Sequence, residues 1–253
     1  MYSYNFRDKT VLITGASSGI GLATAEAFIA QGAKKVYLAA RNLARLQQLC
    51  ERLGPTAVAL EMDVSQPQQI SSVAADLQAQ GVTIDILFAN AGVAHNNQFG
   101  QTSEQEYQTI FATNVAGVFF TVQALLPLLP DAASVILNSS VANCKGMPDL
   151  SLYNASKAAV RSFARSWAND LRARKIRVNA VSPGVTLTPI LQNGLGIGEA
   201  EMAGLQSHLQ QIVPAGRLAA VNEIAAAVLF LAHDAASYVN GTDLQVDGGL
   251  AQI

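Results

Sequence analysis

The sequence is poor in cysteine, in aromatic residues and in charge. Among its 253 residues there are two cysteines, and aromatic and charged residues make up 6% and 13% of the chain. Cys50 and Cys144 lack the paired spacing of a zinc site or a disulfide framework, so no metal site is expected. A net charge of -2 leaves no broad electrostatic footprint for nucleic acid or an anionic membrane, and neither is expected as a partner.

Neither a targeting segment nor a membrane-spanning apolar run is expected from the sequence. Met1–Thr10 carries Arg7, Asp8 and Lys9 in place of an apolar targeting core. The longest apolar run, Ile224–Ala232, falls short of the roughly 18 residues that a membrane span needs. Together with the isolated cysteines, these absences predict a protein of the reducing cytoplasm that does not enter a membrane.

Half of the residues are hydrophobic, and short apolar runs alternate with stretches of helical character. The strand candidates are Val11–Thr14, Val36–Ala39, Ala57–Leu60, Ile84–Phe88, Val135–Leu137, Ile176–Val181 and Leu244–Val246. The helix candidates lie near residues 20–31, 43–53, 66–80, 103–126, 151–174 and 222–232. Consecutive apolar residues in the strands predict a sheet covered on both faces. The fold class expected is therefore α/β, a doubly wound Rossmann-type parallel sheet of about seven strands with helices on both faces, in one domain over residues 1–253.

Two serine motifs and one irregular stretch refine this prediction. Ser65-x-x-Gln68 and Ser103-x-x-Glu106 match capping boxes, which mark helix starts. Thr186–Ala215 has little strand character and several glycines, and it is predicted to be a lid-like insertion near the carboxyl edge of the sheet.

A glycine-rich turn, Thr14-Gly15-Ala16-Ser17-Ser18-Gly19-Ile20-Gly21, joins the first strand to the first helix. Glycines allow a tight turn and a close approach to a pyrophosphate, and the helix N-terminus offers free N–H groups. An ordinary turn explains such glycines too, but their place in the first strand–helix unit favours nucleotide binding. Gly15-x-Ser17-x-Gly19 also fits a hydrolase nucleophile elbow, although fourteen residues before Gly15 are too few for the upstream strand and oxyanion loop.

The second strand ends in Leu38-Ala39-Ala40-Arg41-Asn42, without a carboxylate. An acidic residue at this place binds ribose hydroxyls, whereas a basic one pairs with a 2′-phosphate. Arg41 therefore favours NADP(H) over NAD(H), unless it is only a solvated residue at a helix start.

Tyr153 and Lys157 are spaced i, i+4 and share one face of the predicted fifth helix. An ammonium about 4 Å from the phenol would favour tyrosinate by about 4 kcal/mol, which lowers a tyrosine pKa by up to about three units. Such a tyrosine could serve as a general acid/base near neutral pH. Taken alone, however, this spacing is more often a matter of packing and solvation.

The motifs in their order resemble the short-chain dehydrogenase/reductase family in its compact form, over nearly the whole chain. They are Thr14–Gly21, Asp63-Val64, Asn90-Ala91-Gly92, Asn114, Ser139-Ser140, Tyr153–Lys157 and Pro183-Gly184-Val185-x-x-Thr188. The resemblance implies hydride transfer between a nicotinamide and a carbonyl or secondary alcohol, with a catalytic set of four residues. Tyr153 would move the proton, Lys157 would lower its pKa, Ser140 would hold the substrate oxygen, and Asn114 would help to hold a relay water.

The same resemblance assigns a cofactor-binding set. Asp63 and Val64 would contact the adenine, and Val185 and Thr188 the carboxamide of the nicotinamide. The full set is Gly15, Ser17, Ser18, Gly19, Ile20, Gly21, Arg41, Asp63, Val64, Asn90, Gly92, Tyr153, Lys157, Pro183, Gly184, Val185 and Thr188. Two positions depart from the family pattern, since Ala89 stands where an asparagine is usual and Ser18 where many NADP-dependent members carry a basic residue.

The substrate is expected to be an apolar or amphipathic ketone. The segments expected to face it, Val141–Leu152 and the lid-like insertion, supply an apolar set of residues. These are Cys144, Met147, Leu150, Leu152, Leu187, Ile190, Leu191 and Leu195. The family resemblance further implies a homo-oligomer, with a tetramer favoured, that pairs the helices near 103–126 and 151–174.

Two alternatives stay open on sequence grounds. A 3-oxoacyl-thioester reductase would need a basic docking patch for a carrier protein, and Arg172, Arg174, Lys175 and Arg177 form a basic cluster. A non-catalytic nucleotide-binding regulator would not need Asn114, Ser140, Tyr153 and Lys157 as a set.

Overall fold

The computed structural model describes residues 4–252 and contains a seven-stranded parallel sheet with the strand order β3-β2-β1-β4-β5-β6-β7. The strands are β1 (Thr10–Thr14), β2 (Lys35–Ala40), β3 (Ala57–Glu61), β4 (Ile86–Ala89), β5 (Ser134–Asn138), β6 (Arg177–Pro183) and β7 (Asp243–Val246). The order reverses between β1 and β4, which is where doubly wound sheets place their ligands. The predicted fold class is confirmed.

Helices cover both faces of the sheet. They are α1 (Gly19–Ala30), α2 (Leu43–Leu53), α3 (Pro67–Ala79), α4 (Glu104–Phe111), α5 (Gly117–Leu125), α6 (Ser151–Asp170), α7 (Pro189–Asn193), α8 (Glu199–Ile212) and α9 (Val221–Ala232). Because side chains alternate along a strand, Val11 and Ile13 of β1 pack with α1, α2 and α9, whereas Leu12 packs with α3, α5 and α6. Two apolar cores result, one on each face, and the carboxyl edge of the sheet stays open between them.

Only one of the two predicted capping boxes forms. Ser103 caps α4, with its hydroxyl accepting from the Glu106 N–H and the Glu106 carboxylate accepting from the Ser103 N–H. The prediction for Ser65 is wrong, because α3 begins at Pro67 and the Ser65 hydroxyl donates to Asp63 Oδ1 at 2.7 Å. The Ser65 N–H also donates to that oxygen, at 2.9 Å, so the motif forms a turn after β3.

The segment predicted to be irregular, 186–215, is largely helical. Helices α7 and α8 lie within it, and Gly194 closes the end of α7. The prediction missed α8 because its apolar stripe is weak, with Leu209 as its one buried residue. Leu209 and Val213 pack on Leu250, so this segment packs against the C-terminal turn of the chain.

The helical stretch Glu104–Leu128 meets the length and hydropathy criteria for a membrane span, with 25 residues and a hydropathy of 1.6, although no apolar run of that length was expected. Core helices of globular proteins meet the same criteria, and Val118, Val122 and Leu125 are buried here against the sheet. A π-helical turn, Ala112–Ala116, interrupts the stretch and separates α4 from α5.

Candidate active site

A cavity of about 430 Å³ opens at the carboxyl edge of the sheet. The loops that follow β1 to β6 all contribute to its wall, together with the first turns of α6 and α7. It brings together most of the predicted site residues, namely Gly15, Ser17, Ser18, Gly19, Ile20, Arg41, Asp63, Val64, Asn90, Gly92, Ser140, Tyr153, Lys157, Pro183, Gly184, Val185 and Thr188. Gly21 and Asn114 are outside this lining and lie directly behind it.

The glycine turn is shaped by close contacts that leave no room for side chains. Gly15 has a φ of +64°, and a Cβ there would lie 2.8 Å from the Cα of Ala91. A Cβ on Gly21 would lie 2.5 Å from the carbonyl oxygen of Gly15. The turn therefore packs directly on the loop after β4, and the N-terminus of α1 faces the cavity, as a pyrophosphate site requires.

Two asparagine side chains, those of Asn90 and Asn138, connect the carboxyl ends of β1, β4 and β5 next to this turn. The Asn90 side-chain N–H₂ donates to the carbonyls of Thr14 and Gly15, and Asn138 Nδ2 donates to Asn90 Oδ1 at 2.9 Å. Asn138 Oδ1 is buried and has no partner within residues 4–252, although Asn138 lines the cavity. Buried acceptors normally have a donor, so the Asn138 oxygen beside the glycine turn fits a bound dinucleotide that supplies a hydroxyl or amide donor. Sequence reasoning missed Asn138, whose only signal was a polar residue ending a buried strand.

The far end of the cavity is formed by residues that follow β2 and β3 and by the glycine turn. Arg41 is exposed at the end of β2 and lines the cavity with Ser17 and Ser18 of the glycine turn. Asp63 and Val64 line the same end after β3, where the Asp63 carboxylate holds the Ser65 turn.

Lys157 and Tyr153 project from the first two turns of α6 towards the middle of the cavity. Lys157 is 4% exposed, and its Nζ donates to the carbonyl oxygen of Asn138 at 2.8 Å. The same Nζ lies 5.7 Å from the centroid of the Tyr153 ring. Ser139 and Ser140 are distinguished by their partners: the Ser139 hydroxyl donates to the Lys157 carbonyl, whereas the Ser140 hydroxyl accepts from the Ala142 N–H and lines the cavity together with Tyr153.

Burial sets the ionisation of both α6 residues. It lowers the pKa of Lys157 to about 8, because the charged ammonium loses water. It raises the pKa of Tyr153 above its ordinary value, and the neighbouring Ser140 side chain only partly offsets this effect. The predicted lowering of the Tyr153 pKa by Lys157 is therefore wrong for this geometry. The ammonium donates to the Asn138 carbonyl and lies 5.7 Å from the centroid of the Tyr153 ring.

Asn114 lies at the π-helical turn and is fully buried. Its Oδ1 accepts from the Val93 N–H at 2.8 Å, and its Nδ2 donates to the Val93 carbonyl and to Ser156 Oγ. The side chain is thus fully engaged in joining the loop after β4 to α6. A Cβ on Gly92 would touch both Asn114 Oδ1 and Lys157 Nζ at 3.3 Å, so the two side chains flank the same backbone. π-Turns of this kind are frequent at functional sites.

The cavity wall includes an apolar set of residues. They are Val93, Val141, Met147, Leu150, Ile190, Leu191 and Leu195. Other residues expected to face the substrate lie elsewhere: Cys144 and Leu187 are exposed, and Leu152 does not reach the cavity.

The basic cluster near the end of α6 is held by contacts within the chain. Arg174 donates to the carbonyls of Leu126 and Leu129 and pairs with Asp131. Arg177 donates to the Leu231 carbonyl at 2.7 Å, at the C-terminus of α9. Two of the four basic residues, Arg174 and Arg177, therefore have structural roles within the chain. The cluster also lies at the opposite end of α6 from Tyr153, at a distance of about 30 Å by helical rise.

The family model described as "Enoyl-(Acyl carrier protein) reductase" matches residues 15–251. A solved structure described as a short chain dehydrogenase/reductase family protein is 36% identical, with a TM-score of 0.85, and covers 98% of this chain and 100% of that one. The chain belongs to the short-chain dehydrogenase/reductase family. It is an oxidoreductase of that family, and the resemblance inferred from its motifs is confirmed.

Two further relatives bear on its chemistry. The 3-oxoacyl-[acyl-carrier-protein] reductase FabG of Salmonella typhimurium is 34% identical over 252 residues, which are 98% of this chain and 100% of the relative. The crystal structure of a blue fluorescent protein from a metagenomic library, in complex with NADPH, is 30% identical with a TM-score of 0.87 and covers 98% and 99% of the two chains. The proteins similar to this chain thus include one named a 3-oxoacyl-[acyl-carrier-protein] reductase and one whose crystal structure is a complex with NADPH.

Proposed function

We propose that the chain is an NADP(H)-dependent oxidoreductase that interconverts a ketone and a secondary alcohol, with Tyr153 as the general acid/base. The observation that carries this proposal is the meeting of Ser140, Tyr153 and Lys157 in one cavity whose far end presents Arg41. When bound, the nicotinamide nucleotide supplies or accepts the hydride. The chain's own residues act on the substrate oxygen.

In the direction of reduction, Tyr153 donates its phenolic proton to the carbonyl oxygen. Its raised pKa keeps the phenol protonated at neutral pH, so the acid form is the one available. Ser140 orients the same oxygen, since it lines the cavity together with Tyr153. Lys157 lies beside the Tyr153 ring and is held there by the Asn138 carbonyl.

The preference for NADP(H) rests on Arg41. It is exposed beside Ser17 and Ser18, where a ribose phosphate would lie, and the strand end holds no carboxylate to repel that phosphate. A guanidinium–phosphate pair contributes about 1.5–3 kcal/mol, which is roughly a tenfold to hundredfold preference. Arg45, one turn into α2 and outside the cavity lining, provides the matched control.

The substrate proposed is a neutral, apolar ketone. The lining supplied by the loop before α6 and by α7 is apolar, with Met147, Leu150 and Leu191. Apart from Lys157, the charged lining residues within 4–252 are Arg41 and Asp63, which follow β2 and β3. A highly charged sugar phosphate would lose its hydration there without a compensating partner.

A 3-oxoacyl thioester is the second candidate, favoured by the 34% identity to the reductase FabG over nearly the whole chain. The acyl chain would suit the apolar wall. The carrier protein has less support, because Arg174 and Arg177 are engaged by backbone carbonyls on this chain. Free thioesters, without a carrier, are therefore included among the substrates to be tested.

The experiment follows NADPH consumption with aliphatic, aryl and β-keto carbonyls and a 3-oxoacyl thioester, with NADH in parallel. We expect turnover of an apolar ketone with NADPH, its loss in Tyr153→Phe with NADPH binding retained, and a reduced preference for NADPH in Arg41→Ala but not in Arg45→Ala. Full activity in Tyr153→Phe would refute the acid/base assignment. NADPH binding without any turnover would favour the regulator.

A homotetramer in the cytoplasm completes the proposal. Phe119, Phe163 and Trp167 form an aromatic cluster on α5 and α6, with Phe163 and Trp167 stacked at 4.8 Å and Phe119 36% exposed. Such a cluster suits burial between paired helices. Sedimentation of a stable monomer at micromolar concentration would contradict the assembly.

A further inference from the structure

Helix α6, which carries Tyr153 and Lys157, begins without a cap from its own sequence. Its N-cap residue is Leu150, whose side chain makes no capping hydrogen bond. The first N–H groups of a helix have no partner within it and must find one elsewhere. Here an acceptor comes from a distant part of the chain, since the Leu152 N–H donates to Asn97 Oδ1 at 3.2 Å.

Asn97 is built into this junction. It is 3% exposed, in the connection between β4 and α4, although asparagine is ordinarily a surface residue. Its Nδ2 donates to Ser151 Oγ at 2.8 Å and to Thr102 Oγ1 at 3.1 Å, so both ends of the side-chain amide are used. Its backbone forms a parallel bridge with Leu150, and its N–H donates to the Asp149 carbonyl at 2.6 Å.

We propose that Asn97 is a positioning residue for the reaction, which caps α6 from outside the helix and thereby fixes the placement of the Tyr153 phenol. Leu152, whose N–H Asn97 binds, immediately precedes Tyr153 in the first turn. Ser140 lies on a different element, after β5, so the distance between its hydroxyl and the phenol depends on where that first turn sits. This inference rests on the acid/base role proposed for Tyr153.

The adjacent residue offers a matched control. Asn96 is exposed, and its Nδ2 donates to the Leu195 carbonyl, beyond α7, at 3.1 Å. The same amide is therefore present one position earlier but donates to the segment after α7 and makes no bond to α6. Removing it loses one long-range hydrogen bond without uncapping the helix.

The test compares Asn97→Ala, Asn97→Asp and Asn96→Ala with the wild type. In Asn97→Ala we expect kcat to fall about tenfold to hundredfold, because small displacements of reacting groups are costly, while the KM for NADPH changes less than about twofold. Asn97→Asp should recover most of kcat, since a carboxylate oxygen still accepts from the Leu152 N–H and an anion is favourable at a helix N-terminus. Asn96→Ala should keep kcat near that of the wild type.

Amide hydrogen exchange over Ser151–Ala155 gives a readout that does not depend on turnover. Exchange there should accelerate in Asn97→Ala and stay slow in the other two variants. Unchanged exchange in Asn97→Ala would refute the cap, whatever substrate the enzyme uses. Faster exchange together with an unchanged kcat would refute the positioning role. A wild type without turnover on any carbonyl would instead count against the proposed function, and the exchange result would still decide whether Asn97 caps α6.

Discussion

Lys157 makes the stability of the free protein depend on pH in an uncommon direction. Burial lowers its pKa from 10.5 to about 8 in the folded chain, whereas the unfolded chain titrates as an ordinary lysine. Between these two values the unfolded state binds more protons than the folded state, so stability rises with pH over that interval. The full cost of the buried charge is about 3 kcal/mol, and about 2 kcal/mol of it is relieved between pH 7 and about pH 9.5.

The measurement is the free energy of unfolding from urea titrations of the cofactor-free protein at those two pH values, for the wild type and for Lys157→Met. Other groups titrate in the same range, and the difference between the two proteins isolates the contribution of Lys157. We expect the wild type to gain about 2 kcal/mol more than the variant on going to the higher pH. Above the ordinary pKa of tyrosine the trend should reverse, because Tyr153, with its raised pKa, keeps its proton longer when folded. Equal pH dependence in the two proteins would show that Lys157 is not buried as a charge.

Two further predictions concern the glycine turn after β1 and the polar cluster around Asp243. Gly21→Ala should weaken NADPH binding at least tenfold and destabilise the fold by about 1–3 kcal/mol, since its Cβ would lie 2.5 Å from a backbone oxygen. Gly204→Ala, whose Cβ would have nothing within 4 Å, should be neutral or stabilising. Calorimetric titration with NADPH and urea unfolding measure both effects, and a larger loss in Gly204→Ala than in Gly21→Ala would contradict this account. Asp243→Ala should destabilise the fold by about 2–4 kcal/mol in urea, because its buried carboxylate accepts from Asn143, Ser182 and Arg161, and a loss below about 0.5 kcal/mol would contradict this account.

The core of the fold was accessible from the sequence because its signals are local. Most strands contain a run of consecutive apolar residues, and Val11, Leu12 and Ile13 are fully buried in the sheet that helices cover on both faces. Predictions failed where two local signals competed or where the local signal was weak. At Ser65 the capping motif was overridden by the proline at 67, which begins α3, and by the Asp63 carboxylate. Helix α8 was missed because its weak apolar pattern left little periodicity to read.

The sequence by itself determined the glycine turn, the Tyr153–Lys157 spacing on one helical face and the strand-end position of Arg41, since each depends on residues close together in the chain. Tertiary structure decided the rest. Asn138 holds Lys157 across nineteen positions, and Asn97 caps α6 across fifty-five. The pKa of Lys157 and that of Tyr153 are set by burial, which follows from the packing of α6 against the sheet and the loops around it. Contacts of this kind join elements that the chain brings together only on folding, and no pattern within one segment encodes them.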